Sequence, residues 1–103
     1  MELRPEIVEY IEEVAGLYFR SILLPDVGLR VPQHVHPYDH ATYCGNGSAR
    51  IYVEGKETGV IVAGQATEVK ANLKHEFEAL EPNTRLTCIH DTRSAEFIKK
   101  AGV

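Results

Sequence analysis

From Leu17 to His90 the chain is a succession of short apolar-rich runs, each closed by a turn residue, and this limits it to a small set of folds. Leu17 to Leu24 ends at Pro25-Asp26, and Val27 to Val31 leads into Pro32. Ala41 to Cys44 meets Gly45-Asn46-Gly47, a strong turn signal, and Arg50 to Glu54 meets Gly55-Lys56. Thr58 to Ala63, Ala66 to Ala71, His75 to Leu80 and Arg85 to His90 follow, separated by Gly64, Asn72 and Glu81-Pro82-Asn83. No helix-length segment lies between these runs, so βαβ units are excluded. Regular short strands predict an antiparallel sandwich or barrel.

The two ends read differently. Ile7, Val8, Ile11, Val14 and Ala15 recur at offsets of three and four, with Glu6, Glu9, Glu12 and Glu13 mainly on the other side. Pro5 suits a first helical turn and Gly16 a stop, so the pattern predicts a short amphipathic helix within residues 1–16. Its apolar stripe must pack on the domain itself or on a second chain. Residues 17–93 form the predicted β domain. Ser94 is a candidate N-cap for a short helix or tail over 94–103, with lysines suited to a helix C-terminus.

At 103 residues the chain suffices for one domain. Eleven basic residues against fifteen acidic ones give a net charge of −4 without a basic stripe, which argues against nucleic acid as a partner. No apolar run approaches the roughly 20 residues of a membrane helix. The N-terminus, Met-Glu-Leu-Arg-Pro-Glu, is acidic where a secretory signal is basic, so the expected compartment is the cytoplasm. Cys44 and Cys88 are far apart in sequence and are expected as reduced thiols.

Four of the five histidines carry the chemical signal. His34, His36 and His40 lie in Gln33-His34-Val35-His36-Pro37-Tyr38-Asp39-His40, and His75 follows later. In extended chain His34 and His36 share a face. Pro37 predicts a turn or edge, after which His40 returns on a neighbouring strand with Thr42 and Cys44 on its side. His75, Phe77 and Ala79 share a later face, opposite Glu76 and Glu78. Converging imidazoles would make a transition-metal site, whereas the same spacing also suits a surface cluster. His90 reads as a core or rim histidine, and Asp39 as a loop residue or a partner to a histidine ring N–H. Arg20, Arg50 and Arg85 are candidates for holding an anion.

The arrangement resembles the cupin superfamily. Gly28, His34, His36, His40 and Gly47 keep every interval of its first motif, with His40 where glutamate is usual. Gly64, Lys70, Asn72, His75 and Ala79 keep the intervals of the second, although Lys70, Asn72 and Ala79 depart from its usual identities. Asn72 stands for a glycine and tolerates a left-handed backbone. The resemblance implies an all-β fold, a small antiparallel β-barrel (double-stranded β-helix), here with a short N-terminal helix. It also implies a four-histidine site of His34, His36, His40 and His75 holding one divalent transition metal, Mn, Fe, Ni, Cu or Zn. The implied activity is that of a metal-dependent dioxygenase or isomerase on a small anionic or oxygen-rich compound. The alternative is a non-catalytic metal or small-ligand binding module. Small single-barrel members are often dimers, so a homodimer is expected.

Overall fold

The computed structural model describes residues 7–32 and 35–91, which form two antiparallel sheets. The strands are β1 (Val8–Val14), β2 (Leu17–Leu24), β3 (Arg30–Pro32), β4 (His40–Asn46), β5 (Ser48–Val53), β6 (Lys56–Val62), β7 (Ala66–Val69), β8 (His75–Ala79) and β9 (Thr84–Asp91). One sheet has the order β1-β2-β9-β4-β7 and the other β3-β8-β5-β6. Alternation along β4, β8 and β9 separates inside from outside. Ile22, Leu24, Leu86 and Cys44 of the larger sheet are buried against Val31, Phe77, Ala79, Ala49 and Ile61 of the smaller. Both cysteines are buried, with no disulfide between them.

The N-terminal helix expected over residues 1–16 is not formed: Val8–Val14 is a strand, and residues 1–6 lie outside the described part. β1 pairs with β2 without a break, from Val8 opposite Leu23 to Val14 opposite Leu17. The connection is Ala15-Gly16, with φ of 52° and 76°, and two left-handed residues are what a two-residue hairpin loop of matching twist requires. An isolated helix of this length is marginal in water. The free edge of β2 instead satisfies the backbone of a segment carrying Val8, Tyr10, Ile11 and Val14, residues well suited to strands. The helical spacing was real in the sequence, but pairing to a neighbouring edge outweighs it. The terminal segment expected over 94–103 lies outside the described residues, and no helix among those described is long and apolar enough to cross a membrane.

The expected barrel is also corrected. Among the described residues neither sheet closes on itself; β1 and β7 edge one sheet, β3 and β6 the other. Closure would need long, tilted edge strands to pair continuously, but β3 spans three residues and β7 four. Isolated backbone bonds tie one corner, among them Ala63 N–H to Gly47 O (3.0 Å), Gly64 N–H to Cys44 O (2.8 Å) and Cys44 N–H to Gln65 O (2.8 Å).

The crossing from β4 to β5, where the chain changes sheets, turns on Gly47. A register shift lies between Cys44 and Asn46. Gly47 has φ of 75°, and a Cβ there would collide with Thr84 Oγ1 and lie 3.0 Å from Thr84 Cα. Thr84 cannot easily yield, since it is buried and its hydroxyl donates to Glu81 O (2.8 Å) and Ser48 O (3.2 Å). Gly47→Ala should therefore cost about 2–4 kcal/mol of stability, through left-handed strain and a clash with fixed atoms. Gly59→Ala, whose Cβ would meet nothing within 4 Å, should stay within about 0.5 kcal/mol. Denaturant unfolding of the two variants checks the contrast.

Candidate functional site

The apolar core does not fill the whole interior. Along the inner face of the larger sheet it gives way, at one end, to rings that carry polar atoms. Register explains the grouping. Tyr18 on β2 lies opposite His90 on β9, and Ala41 of β4 lies opposite Ile89, so His40 falls beside His90. His75 opens β8 of the facing sheet and is buried. The loop of residues 35–39 brings His36 and Tyr38 to the same place. It is anchored there by Asn72 N–H donating to His36 O (2.8 Å) and by Ala71 N–H donating to Asp39 Oδ1 (2.7 Å). Asp39 thus fastens a loop to a backbone amide. Asn72 has φ of 63°, the left-handed conformation its motif position requires.

Ring centroids measure the convergence. Tyr18 stacks on His90 at 4.7 Å and His36 on Tyr38 at 5.0 Å. Tyr38 approaches His90 at 4.9 Å, and His36 meets His40 edge-on at 5.7 Å. His40 lies 6.3 Å from His90. His40 is the most confined of these rings at 7% exposure, and its Nδ1 is buried with no hydrogen-bond partner among the described residues.

Hydrogen bonds settle two tautomers. Carbonyl oxygens only accept, so His75 Nδ1–H donates to Leu73 O (3.1 Å) and His90 Nδ1–H to Asp91 O (2.9 Å). In the neutral rings Nε2 is then an acceptor on both. The Tyr38 hydroxyl lies 3.4 Å from His90 Nε2, a long bond in which the phenol donates. Burial lowers the pKa of His40 to about 4, and the neighbouring His36, His90, His75 and Arg20 lower it further within that value. Burial also raises the phenols of Tyr38 and Tyr18. Near neutral pH, His40 and both phenols are therefore uncharged. The nearby cation, Arg20, is engaged by Glu9 through Nε–Oε2 at 2.6 Å.

The expected metal centre is overturned. Among the described residues, no group of three or more His, Cys, Asp or Glu side chains is placed to hold a metal ion. His36 and His40 are brought together, and His75 lies near enough to bear on the charge of His40. His34 lies outside the described residues. The described imidazoles do not converge as a set of three: His36 stacks on Tyr38 and meets His40 edge-on, while His75 is held by its bond to Leu73 O. Tyr18, Tyr38 and His90 are part of the cluster but were not singled out as ligands from sequence. For His90 the available signal was its alternation with Cys88 and Leu86, which places it on the inner face.

No protein-family model matches the sequence, and no curated protein matches it. Solved structures do. KdgF from Halomonas sp. is similar at 21% identity and a TM-score of 0.70, over 86% of this chain and 81% of that one. A cupin 2 conserved barrel domain protein from Leptotrichia buccalis is similar at 22% identity and a TM-score of 0.72, over 91% of this chain and 44% of that one. A mutant of Bacillus subtilis oxalate decarboxylase gives 21% and 0.62, over 74% of this chain and 21% of that one. At these identities the likeness shows the fold, and the fold is that of the cupins. It hosts unrelated activities, so chemistry must be argued from the ring cluster.

The depressed pKa of His40 makes a prediction about stability. Its folded value, about 4, lies below the ordinary imidazole value of 6.5, so the unfolded chain takes up a proton first as pH falls. The contribution is complete above pH 6.5 and is lost between there and about 4. It amounts to at most about 3 kcal/mol. Denaturant unfolding across this range should show the decline in the parent chain and a shallower one in His40→Phe.

Proposed function

We propose that the chain is a non-catalytic binding module for a small, hydroxyl-rich compound, held at the ring cluster between the sheets. The observation that carries this reading is the convergence of His36, Tyr38, His40 and His90 around a buried imidazole nitrogen without a partner. A buried polar atom left unsatisfied costs roughly 1–3 kcal/mol, and a ligand that satisfies it recovers that amount. The uncharged His40 ring and the phenols of Tyr18 and Tyr38 favour ligands that trade hydrogen bonds over ligands that bring charge. The tautomer of His75 presents an acceptor nitrogen, to which a hydroxyl can donate, while the oxygen of Tyr38, whose proton goes to His90, can accept in turn. Arg20 is already paired with Glu9, so a bare anion would find its nearest cation engaged. Stacked rings add flat apolar surface of the kind that packs on the C–H face of a sugar or polyol.

Calorimetric titration with a panel of neutral monosaccharides and polyols tests the reading. At least one should bind the parent chain, and His40→Phe should weaken it tenfold or more. Affinity should also fall as pH drops through about 4, the folded value of His40, because protonating that ring removes an acceptor. Absence of binding across the panel, or binding indifferent to His40→Phe, would overturn the assignment. Chemical conversion of the bound compound would overturn the non-catalytic part.

A further inference from the structure

Beside the ring cluster stands a permanent cation, Arg20, and the chain supplies its own carboxylate to it. Register lays out the inner face of the larger sheet in rows across the strands. Glu13, Tyr18 and His90 make one row, and Ile11, Arg20, Cys88 and Thr42 the next. Glu9, Ile22, Leu86 and Cys44 make the third. Arg20 thus lies one row from the rings, with Glu9 and Glu13 of β1 diagonally to either side of it. Its charge bears on the cluster. Burial keeps His40 neutral, and Arg20 is among the neighbours that add to this effect. Burial raises the Tyr18 phenol; Arg20 opposes that rise, whereas Glu9 and Glu13 add to it.

Of the two carboxylates, Glu9 is the one that closes on the guanidinium. Its Oε2 accepts from Arg20 Nε at 2.6 Å. Nε is one corner of a planar fork that carries further N–H donors, so this contact takes up the charge without using the whole fork. The pair is partly in water, with side chains 21% and 30% exposed, and Glu9 belongs to an edge strand whose every residue is exposed. Such a pair adds little to stability. Its position gives it another consequence. A carboxylate fixed on the chain competes at an effective concentration on the order of millimolar or above, so a free carboxylate meets a cation already taken. Glu13 adds a second negative charge on the same face, a repulsive element of the kind that sets specificity.

We propose that Glu9 is a specificity-determining residue: by engaging Arg20 beside the ring cluster, it bars carboxylate-bearing ligands and reserves the site for neutral, hydroxyl-rich ones. The inference rests on the reading of the cluster as a ligand site. It also assigns the converse. Once the charge of Glu9 is removed, Arg20 offers its fork to a ligand carboxylate, which replaces the chain's own.

Titration of the full chain with sodium acetate and sodium gluconate at constant ionic strength, followed by NMR of the Tyr18, His40 and His90 rings, tests the proposal. Glu9→Gln keeps the shape of the side chain and drops its charge; Glu13→Gln makes the same change of net charge on the same face. Both residues are exposed, so circular dichroism should be unchanged. Glu9→Gln should bind both carboxylates at least about tenfold more tightly than the parent chain, the worth of a charge-assisted bond. Glu13→Gln should stay within about twofold of the parent, and adding Arg20→Gln to Glu9→Gln should abolish the gain. Sorbitol, the neutral counterpart of gluconate, is titrated alongside with the neutral panel. Neutral binding together with equal carboxylate affinity in the parent and Glu9→Gln would overturn the role of Glu9 and leave the binding site standing. A carboxylate gain in Glu9→Gln with no neutral compound bound would support the role of Glu9 and overturn the neutral-ligand reading. Carboxylates bound by neither chain, an equal gain in Glu13→Gln, or a gain that survives Arg20→Gln would each overturn the proposal.

Discussion

The ladder between β4 and β9 is the constraint on which the other parts depend. β9 is bonded on both sides, to β2 and to β4, so its eight residues set the inner and outer faces of three of the five strands in that sheet. With Thr42 opposite Cys88 and Cys44 opposite Leu86, the even-numbered residues of both strands are held inward. A slip of one residue would turn all of them to solvent. The same register that buries Cys44 and Leu86 in the core carries His40 and His90 to the far end, where the facing sheet supplies His75. Core and ring cluster are thus two ends of one surface, and a change in one is felt through the ladder by the other.

This continuity explains why the cluster can hold polar rings at all. Burial of His40 depresses its pKa, so the ring stays uncharged among imidazoles that would otherwise repel it. Backbone carbonyls take the Nδ1–H of His75 and His90, which fixes the rings and leaves an acceptor on each. The loop over residues 35–39 is tied by Asp39 and by the main chain of His36, so its rings do not depend on a charge for their position. The result is a preorganised cluster of hydrogen-bonding rings around the neutral His40.

Much of the β structure was legible from local chemistry. Gly45-Asn46-Gly47, Gly55, Gly64 and Asn72 stand at or beside turns, and Gly47, Gly55, Gly64 and Asn72 all have positive φ. Alternation placed His75, Phe77 and Ala79 inward and left Glu76 and Glu78 to pair with cations on the outside. β1 was misread because Ile7, Val8, Ile11 and Val14 satisfy a helical stripe, while the edge that recruits them lies on another strand. The metal site was misread for a related reason. Spacing shows which histidines can share a face, but not whether their nitrogens converge on one point once the strands have paired. His90 entered the cluster through Tyr18 and His40, neighbours across strands rather than along them.

What the sequence determined by itself is the set of short strands, their turns and the inward or outward choice at each position. These follow from backbone sterics and a two-residue period, which act over a few residues. What only the tertiary structure decided is the conversion of the N-terminal segment into an edge strand, the open pair of sheets in place of a barrel, and the company each histidine keeps. These depend on register and on which edges are free, quantities that exist only after distant strands have paired.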